Sequence, residues 1–371
     1  MPSITETIQA HQPDLKAYEE LYKWFHAHPE LSFCEKETAA AIVKHLESFN
    51  AFEIHPHVGG HGLAAVLKNG DGKTLLLRAD IDALPVKEQT GLPYASTKRM
   101  QDVEGVEKPV MHACGHDMHI TSLLAAAETL VKAKAAWSGT LILVFQPAEE
   151  KGKGAQAMVD DGLYDKVPIP DVTIVAREVD PLDFAVVTVA AIHAGDAENI
   201  IPDTATLKLD IRAANPSTRE RVLSSVRTIV HAEALASSNP NPPSMVEIRN
   251  FPLLFNDATV TSSLESSFGA HFSSSNSSSK DGSAYAEYIP TIARLQGSED
   301  FGILATAVGK PSCFFLYGGT DPALYERLEG EGKLSEVPGN HSPFFAPVLQ
   351  PTLRVGIEGY VVSALTFLGK V

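Results

Sequence analysis

The spacing of apolar and polar positions divides the chain into segments of different period. Apolar residues recur at helical spacing from Leu15 to His28, and again from Glu35 to Phe49 behind the polar start Glu35-Lys36-Glu37-Thr38. Short apolar runs at Gly62 to Leu67, Thr74 to Arg78, Gly139 to Phe145 and Asp171 to Val175 predict buried strands. Helical patterns lie between them, over Asp117 to Lys134 and Ala155 to Asp161. Strands separated by helices at this spacing predict an α/β domain with a largely parallel sheet.

The texture changes after this point. Phe184 to Ile192 and Thr204 to Arg212 alternate with period two and predict strands, and Thr218 to Ala236 predicts a helix. Asn239-Pro240-Asn241-Pro242-Pro243 breaks that helix, and Val246 to Phe251 predicts a further strand. The block from about 180 to 254 therefore reads as a small α+β insert. The α/β pattern then returns with a helix over Ala258 to Phe272, a strand over Cys313 to Tyr317 and a closing helix over Leu353 to Leu368. The Ser/Asn-rich stretch Ser273 to Ser283 predicts a mobile surface loop. There is no internal repeat.

Composition narrows the function classes. A length of 371 residues fits two domains, or one domain carrying an insertion. The formal net charge of −16 argues against nucleic acid and anionic membranes, which need a basic footprint, and is compatible with attracting cations. No run approaches the ~18 apolar residues of a membrane span. Met1 to Glu20 contains no apolar signal-peptide region, and three cysteines (Cys34, Cys114, Cys313) form a sparse, odd set. Both features predict a reduced, cytoplasmic protein.

Four stretches carry chemistry. His112-Ala113-Cys114-Gly115-His116-Asp117-Met118-His119 places five metal-binding or acid/base side chains within eight residues, directly before a helix. Thiolate, imidazole and carboxylate together suit zinc and related divalent ions, whereas a polar helix cap accounts for Asp117 alone. Gln146-Pro147-Ala148-Glu149-Glu150 puts two carboxylates at the end of an apolar strand. Ligands gather at that end of open α/β sheets, and adjacent carboxylates can divide into a metal ligand and a general base. Arg78-Ala79-Asp80-Ile81-Asp82-Ala83-Leu84-Pro85 is a second acidic strand end, and Gly339-Asn340-His341-Ser342-Pro343 sets one histidine in a tight loop. Taken singly, these last three are as readily exposed acidic turns and a structural histidine. A nicotinamide enzyme is disfavoured because no G-x-G-x-x-G follows the first strand.

Together these stretches resemble the co-catalytic zinc peptidase family that includes aminoacylase, carboxypeptidase G and hippurate hydrolase. Within it, the chain is most similar to amidohydrolases acting on N-acyl and indole-acetyl amino acids. His28 to Ser32, Asn199 to Asp203 and Ser298 to Phe301 also carry the resemblance, and all the motifs follow the family's order over nearly the whole chain. The resemblance implies two divalent ions, zinc or manganese with cobalt also compatible. Cys114, His116, Glu150 and His341 are the implied ligands, and Glu149 is the implied general base. Asp82 and Asp117 are implied to stand behind the ligands and orient them, Asp82 as part of the catalytic set. Asn199 and Arg212 match substrate-holding positions, and a guanidinium at 212 suits a substrate carboxylate. The implied substrate is a small N-acyl amino acid, without nucleic acid or membrane partners.

The resemblance breaks at one place. After the strand Asp171 to Val175, this branch continues into a Gln-His-Val motif whose histidine completes the metal site. Here the chain reads Ala176-Arg177-Glu178-Val179-Asp180-Pro181, which matches a piece from well inside the family's lid domain. Val175 and Ala176 thus join two places that the family keeps far apart. The segment between them carries one ligand histidine, part of the lid and a second histidine that stabilises the oxyanion. It is absent from the natural chain, lost from a gene model or splice form, or replaced in function by Glu178 as a ligand. The expected fold is a catalytic domain over 1–178 and 255–371, with a mixed, mostly parallel sheet flanked by helices, plus a truncated α+β ferredoxin-like lid over 179–254. The family's dimerisation through the lid is weakened by that truncation. The expected activity is metal-dependent hydrolysis of the amide bond of an N-acyl amino acid, and the alternative is an inactive relative that binds metal or conjugates without turnover.

Overall fold

The structure is a computed structural model describing residues 2–177, 186–195, 199–213, 216–237, 241–251, 254–273, 286–292 and 299–370. The chain divides into two compact units. The first comprises Met1–Val179, Leu254–Thr291 and Ser298–Val371, and the second Asp180–Leu253 with Ile292–Gly297.

The first unit opens with three helices, α1 (Ile4–His11), α2 (Leu15–Ala27) and α3 (Lys36–Ser48). Ser3 and Glu6 form a reciprocal capping box at α1, and the Asp14 side chain caps α2 by accepting from the Lys16 N–H. Next come β1 (Glu53–Pro56), β2 (Leu63–Asn69) and β3 (Thr74–Asp80), a short hairpin of β4 (Arg99–Gln101) and β5 (Glu107–Pro109), and the long helix α4 (His116–Lys132). β6 (Gly139–Gln146), α5 (Gly154–Asp160), α6 (Leu163–Lys166) and β7 (Val172–Arg177) complete the first pass.

The second unit contains β8 (Val186–His193), β9 (Thr206–Arg212) and α7 (Pro216–Ala236). The chain then returns to the first unit with α8 (Ala258–His271), α9 (Gly302–Thr306), β10 (Ser312–Leu316), α10 (Pro322–Gly330) and α11 (Leu349–Leu368). No helix among the described residues is long and apolar enough to cross a membrane.

The main sheet has the order β1-β2-β6-β3-β7-β10. The β6, β3, β7 and β10 ladders are parallel, and β1 and β2 are added antiparallel at one side. The sheet is therefore mixed and mostly parallel, as the α/β pattern predicts. Because side chains alternate across a strand, the apolar runs of β3 and β6 feed two cores. Leu75, Leu77, Leu141, Leu143 and Phe145 pack on one face with Ile120, Leu124 and Tyr360 from α4 and α11. Leu76, Ile142 and Val144 pack on the other with Ala155, Met158 and Leu163 from α5 and α6. α4 is buried on every side over its first three turns, which explains its lack of a polar face.

In the second unit β8 and β9 pair antiparallel, with an irregularity between Val189 and Ala191. The strand expected over Val246 to Phe251 does not form. Residues 242–251 carry no regular structure, and Val246 and Ile248 are 79% and 68% exposed. A strand needs a partner ladder, and among the described residues the β8–β9 sheet stops at two strands. Apolar side chains of the pair, including Val189, Ile192 and Leu207, are exposed. The loop expected at Ser273 to Ser283 lies outside the described residues after Ser273, as does Glu178.

Candidate metal centre

Two parallel strands deliver the first groups. β3 ends on Asp80 and continues through Ile81 to Asp82, while β6 ends on Gln146 and turns through Pro147 and Ala148 into Glu149 and Glu150. Asp80 pairs with Gln146 in register, so the two strands end level and their loops leave the same edge of the sheet. α4 begins at His116 behind Gly115, whose φ of 78° lies in the left-handed region open to a residue without a Cβ. Cys114 precedes that glycine. His341 arrives from the far end of the chain, and its backbone N–H donates to the Ala113 carbonyl at 2.6 Å.

These elements bring the sequence-predicted ligands together. Cys114, Glu150 and His341 each offer an atom within 4.8 Å of the others, and so do His116, Glu149 and Glu150. Glu150 is common to both groups. The His341 ring nitrogen Nε2 lies 3.6 Å from a Glu150 oxygen, and the side chain of Asn340 donates to Cys114 Sγ at 3.4 Å. His116 Nδ1 lies 2.8 Å from the Asp82 carbonyl oxygen, a contact that assigns the ring proton to Nδ1. Its Nε2 is buried, makes no hydrogen bond, and stands 3.8 Å from both Glu149 and Glu150. Burial alone lowers the His116 pKa, but Asp80, Asp82 and Cys114 outweigh it and hold the imidazole well above its usual range. Imidazole, carboxylate and thiol side chains gathered in one buried cluster are a donor set for zinc or a related divalent ion, which binds Nε2 in exchange for its proton, and the residues present fit such an ion.

Of the remaining members of the 112–119 stretch, His119 offers an atom within 4.8 Å of Asp80 and His116, while His112 and Asp117 make other contacts. His112 is buried with neither ring nitrogen hydrogen-bonded, and burial pushes its pKa down to about 4. Asp117 pairs with His26 Nδ1 at 2.7 Å, and His26 Nε2 pairs with Glu88 at 3.0 Å. His119 Nδ1 pairs with Asp80 at 2.7 Å.

Asp82 lies behind the cluster. Its carboxylate accepts from the Glu149 and Glu150 N–H groups, both at 3.1 Å, and from the Ser32 hydroxyl at 2.7 Å. Beneath it, Arg78 is wholly buried and ion-paired to Asp80 at 2.7 Å and Glu299 at 3.0 Å, while Gln146 links Arg78 to Asp300. Asn199 and Arg212 belong to the second unit, where Arg212 pairs with Asp210 at 2.9 Å and both arginine and asparagine are exposed.

Sequence reasoning missed His26, Asn340 as a partner of the thiol, and Glu35, whose carboxylate accepts from the Ala148 N–H at 2.9 Å. The His28 to Ser32 motif was the only signal near two of them.

Comparison with known proteins follows the same lines. The profile of peptidase family M20/M25/M40 matches residues 76–331. A hippurate hydrolase of Campylobacter jejuni is 35% identical over 264 residues, spanning 55% of this chain and 66% of that protein. An N-acetyl-L-cysteine deacetylase of Bacillus subtilis is 30% identical over 366 residues, spanning 79% of this chain and 84% of that protein. The crystal structure of the Bacillus subtilis YXEP protein, described as a dinuclear metal-binding peptidase of the M20 family, superposes with a TM-score of 0.69 at 25% identity, covering 95% of this chain and 99% of that one. By matched length and by the end-to-end span of its relatives, the chain belongs to peptidase family M20/M25/M40.

Proposed function

We propose that the chain hydrolyses the amide bond of N-acyl amino acids or similar small conjugates, as a metal-dependent amidohydrolase. The observation that carries this reading is the pair of ligand groups sharing Glu150, with Glu149 beside them. Hippurate and N-acetyl-L-cysteine, the compounds in the names of two relatives, are both N-acyl amino acids. Cys114, Glu150 and His341 are assigned to one divalent ion and His116 to a second, with zinc or manganese favoured and cobalt compatible. A divalent ion supplies Lewis acidity toward the amide carbonyl and lowers the pKa of an attacking water. Glu149, 2% exposed, takes the proton of that water and returns it to the departing amine. The C–N bond breaks, giving a carboxylic acid and a free amino acid. Asp82 keeps the Glu149–Glu150 turn in place during the transfer through the two backbone hydrogen bonds it accepts.

In this reading residues 1–178 and 255–371 form the catalytic domain and 179–254 a shortened lid, with Asn199 and Arg212 assigned to the substrate. The protein is assigned to the cytoplasm, and a homodimer is disfavoured by the shortened lid. A second reading, binding without turnover, is favoured by the Val175–Ala176 join. The deacetylase alignment, which needs 366 positions to span 79% of a 371-residue chain, leaves dozens of that relative's positions without a counterpart, as a missing segment would.

The test is metal analysis of dialysed protein beside hydrolysis of N-benzoylglycine. The proposed function expects bound divalent metal, activity lost on chelation and restored by zinc or manganese, and metal lost in a Cys114→Ala, His116→Ala double variant. Retained metal without turnover in this chain, with turnover gained on grafting a relative's segment between Val175 and Ala176, supports the second reading. Unchanged metal content in the double variant refutes the ligand assignment.

A further inference from the structure

The turn that carries Glu149 and Glu150 is held by its backbone. Ala148 has φ 49° and ψ 39°, a left-handed conformation that an alanine adopts only at a cost. Three successive N–H groups of this turn meet two carboxylates. Ala148 donates to Glu35 Oε1 at 2.9 Å, while Glu149 and Glu150 donate to the two oxygens of Asp82. Glu35 lies 113 residues before Ala148 and is fully buried. Its Oε1 also accepts from the Phe33 N–H at 2.8 Å, and its Oε2 makes no hydrogen bond. One short segment therefore braces the turn from below: Ser32 holds Asp82, and Glu35 holds Ala148. Burial first, and then the neighbouring Asp82 charge, push the Glu35 pKa up to about 8.

We propose that Glu35 is a positioning residue that fixes the Ala148 N–H by accepting its hydrogen bond, and through it the aim of Glu149 and Glu150. This rests on the assignment of Glu149 as base and Glu150 as ligand. Nothing in the proposal has Glu35 touching substrate. It acts through one backbone amide, and misplacing a reacting group by about 1 Å costs on the order of 10²-fold in rate.

Two conservative variants separate reach from ionisation. Glu35→Gln keeps the reach of the acceptor and removes the ionisable carboxyl, whereas Glu35→Asp keeps the carboxyl and withdraws the acceptor by one methylene. The readouts are zinc affinity by chelator competition, kcat and KM on N-benzoylglycine, and thermal unfolding as a control for folding. Glu35→Gln is expected to stay within about threefold of wild type in zinc affinity and kcat, and Glu35→Asp to lose zinc affinity by about tenfold. The kcat of Glu35→Asp should fall by roughly 10²-fold with little change in KM, and adding Ala148→Gly should restore part of it, because glycine holds the left-handed turn without the tether. Glu35→Asp matching wild type, or Glu35→Gln failing as badly as Glu35→Asp while melting like wild type, overturns the proposal. If wild type itself does not turn over N-benzoylglycine, the functional reading fails, and the order of zinc affinities still decides the role of Glu35.

Discussion

His26 shows how much of this centre is set by single buried side chains outside the ligand set. It lies between Asp117 and Glu88, with both ring nitrogens in contact with carboxylates and no exposure to solvent. Burial works against its charged form, but the hydrogen bonds to Asp117 and Glu88 outweigh it and raise the pKa to about 10 from the ordinary 6.5. A histidine whose pKa is higher in the fold than in the unfolded chain stabilises the fold fully below the unfolded value. That contribution then declines as pH rises from 6.5 through about 10. Urea unfolding from pH 6 to pH 10 should therefore show a loss of stability in wild type that is smaller in His26→Gln. Parallel curves for the two proteins would remove His26 from the account. The proposed ligands Cys114, His116, Glu150 and His341 were legible as a set, through the resemblance their motifs carry together, whereas the Glu149–Glu150 turn and His341 taken singly read as readily as an acidic loop and a structural histidine. Their supports were not, since Glu35 and Ala148 are joined by a backbone contact that no local pattern announces.

At the scale of elements, the β6–α5 connection is the piece with least tolerance. A Cβ on Gly154, the first residue of α5, would stand 1.5 Å from the Pro147 carbonyl oxygen, which is backbone and has no rotamer to give. The Glu149–Glu150 turn closes on itself through that contact. Gly154→Ala should destabilise the fold by about 1–3 kcal/mol or more through overpacking, and should weaken metal binding with it. Urea unfolding and metal content of the same sample measure both, and a variant unchanged in both would mean that the turn is not constrained there.

The elements that were legible in the sequence are those with a dominant apolar run. β3, β6 and residues 172–175 of β7 are buried on both faces, and α4 on all sides over its first three turns, so burial writes their sequence. β1, β4 and β5 are short and partly charged (Glu53 to Pro56, Arg99 to Gln101, Glu107 to Pro109) and carry no such signature. α1 is marked by Ser3 and Glu6, a capping signal within a polar opening that the apolar spacing alone passed over. Val246 to Phe251 has the β-prone residues of a strand, but pairing decides strands, and it has no ladder among the described residues.

On the scale of the whole molecule, the first unit gathers strand ends, the start of α4 and the 339–343 loop around one acidic cluster, drawing on residues from 26 to 341. The central claim is that this cluster is a hydrolytic metal centre in which Glu150 binds metal and its neighbour Glu149 moves the proton. The most direct test is kcat on N-benzoylglycine for zinc-loaded wild type and Glu149→Gln, with metal content measured on the same samples. Glutamine keeps the shape of the side chain and removes its basicity, so kcat should fall by about 10²–10⁴-fold while metal content stays at the wild-type value. An unchanged kcat, or a loss of metal that accounts for the lost activity, would contradict the division of labour between these two carboxylates.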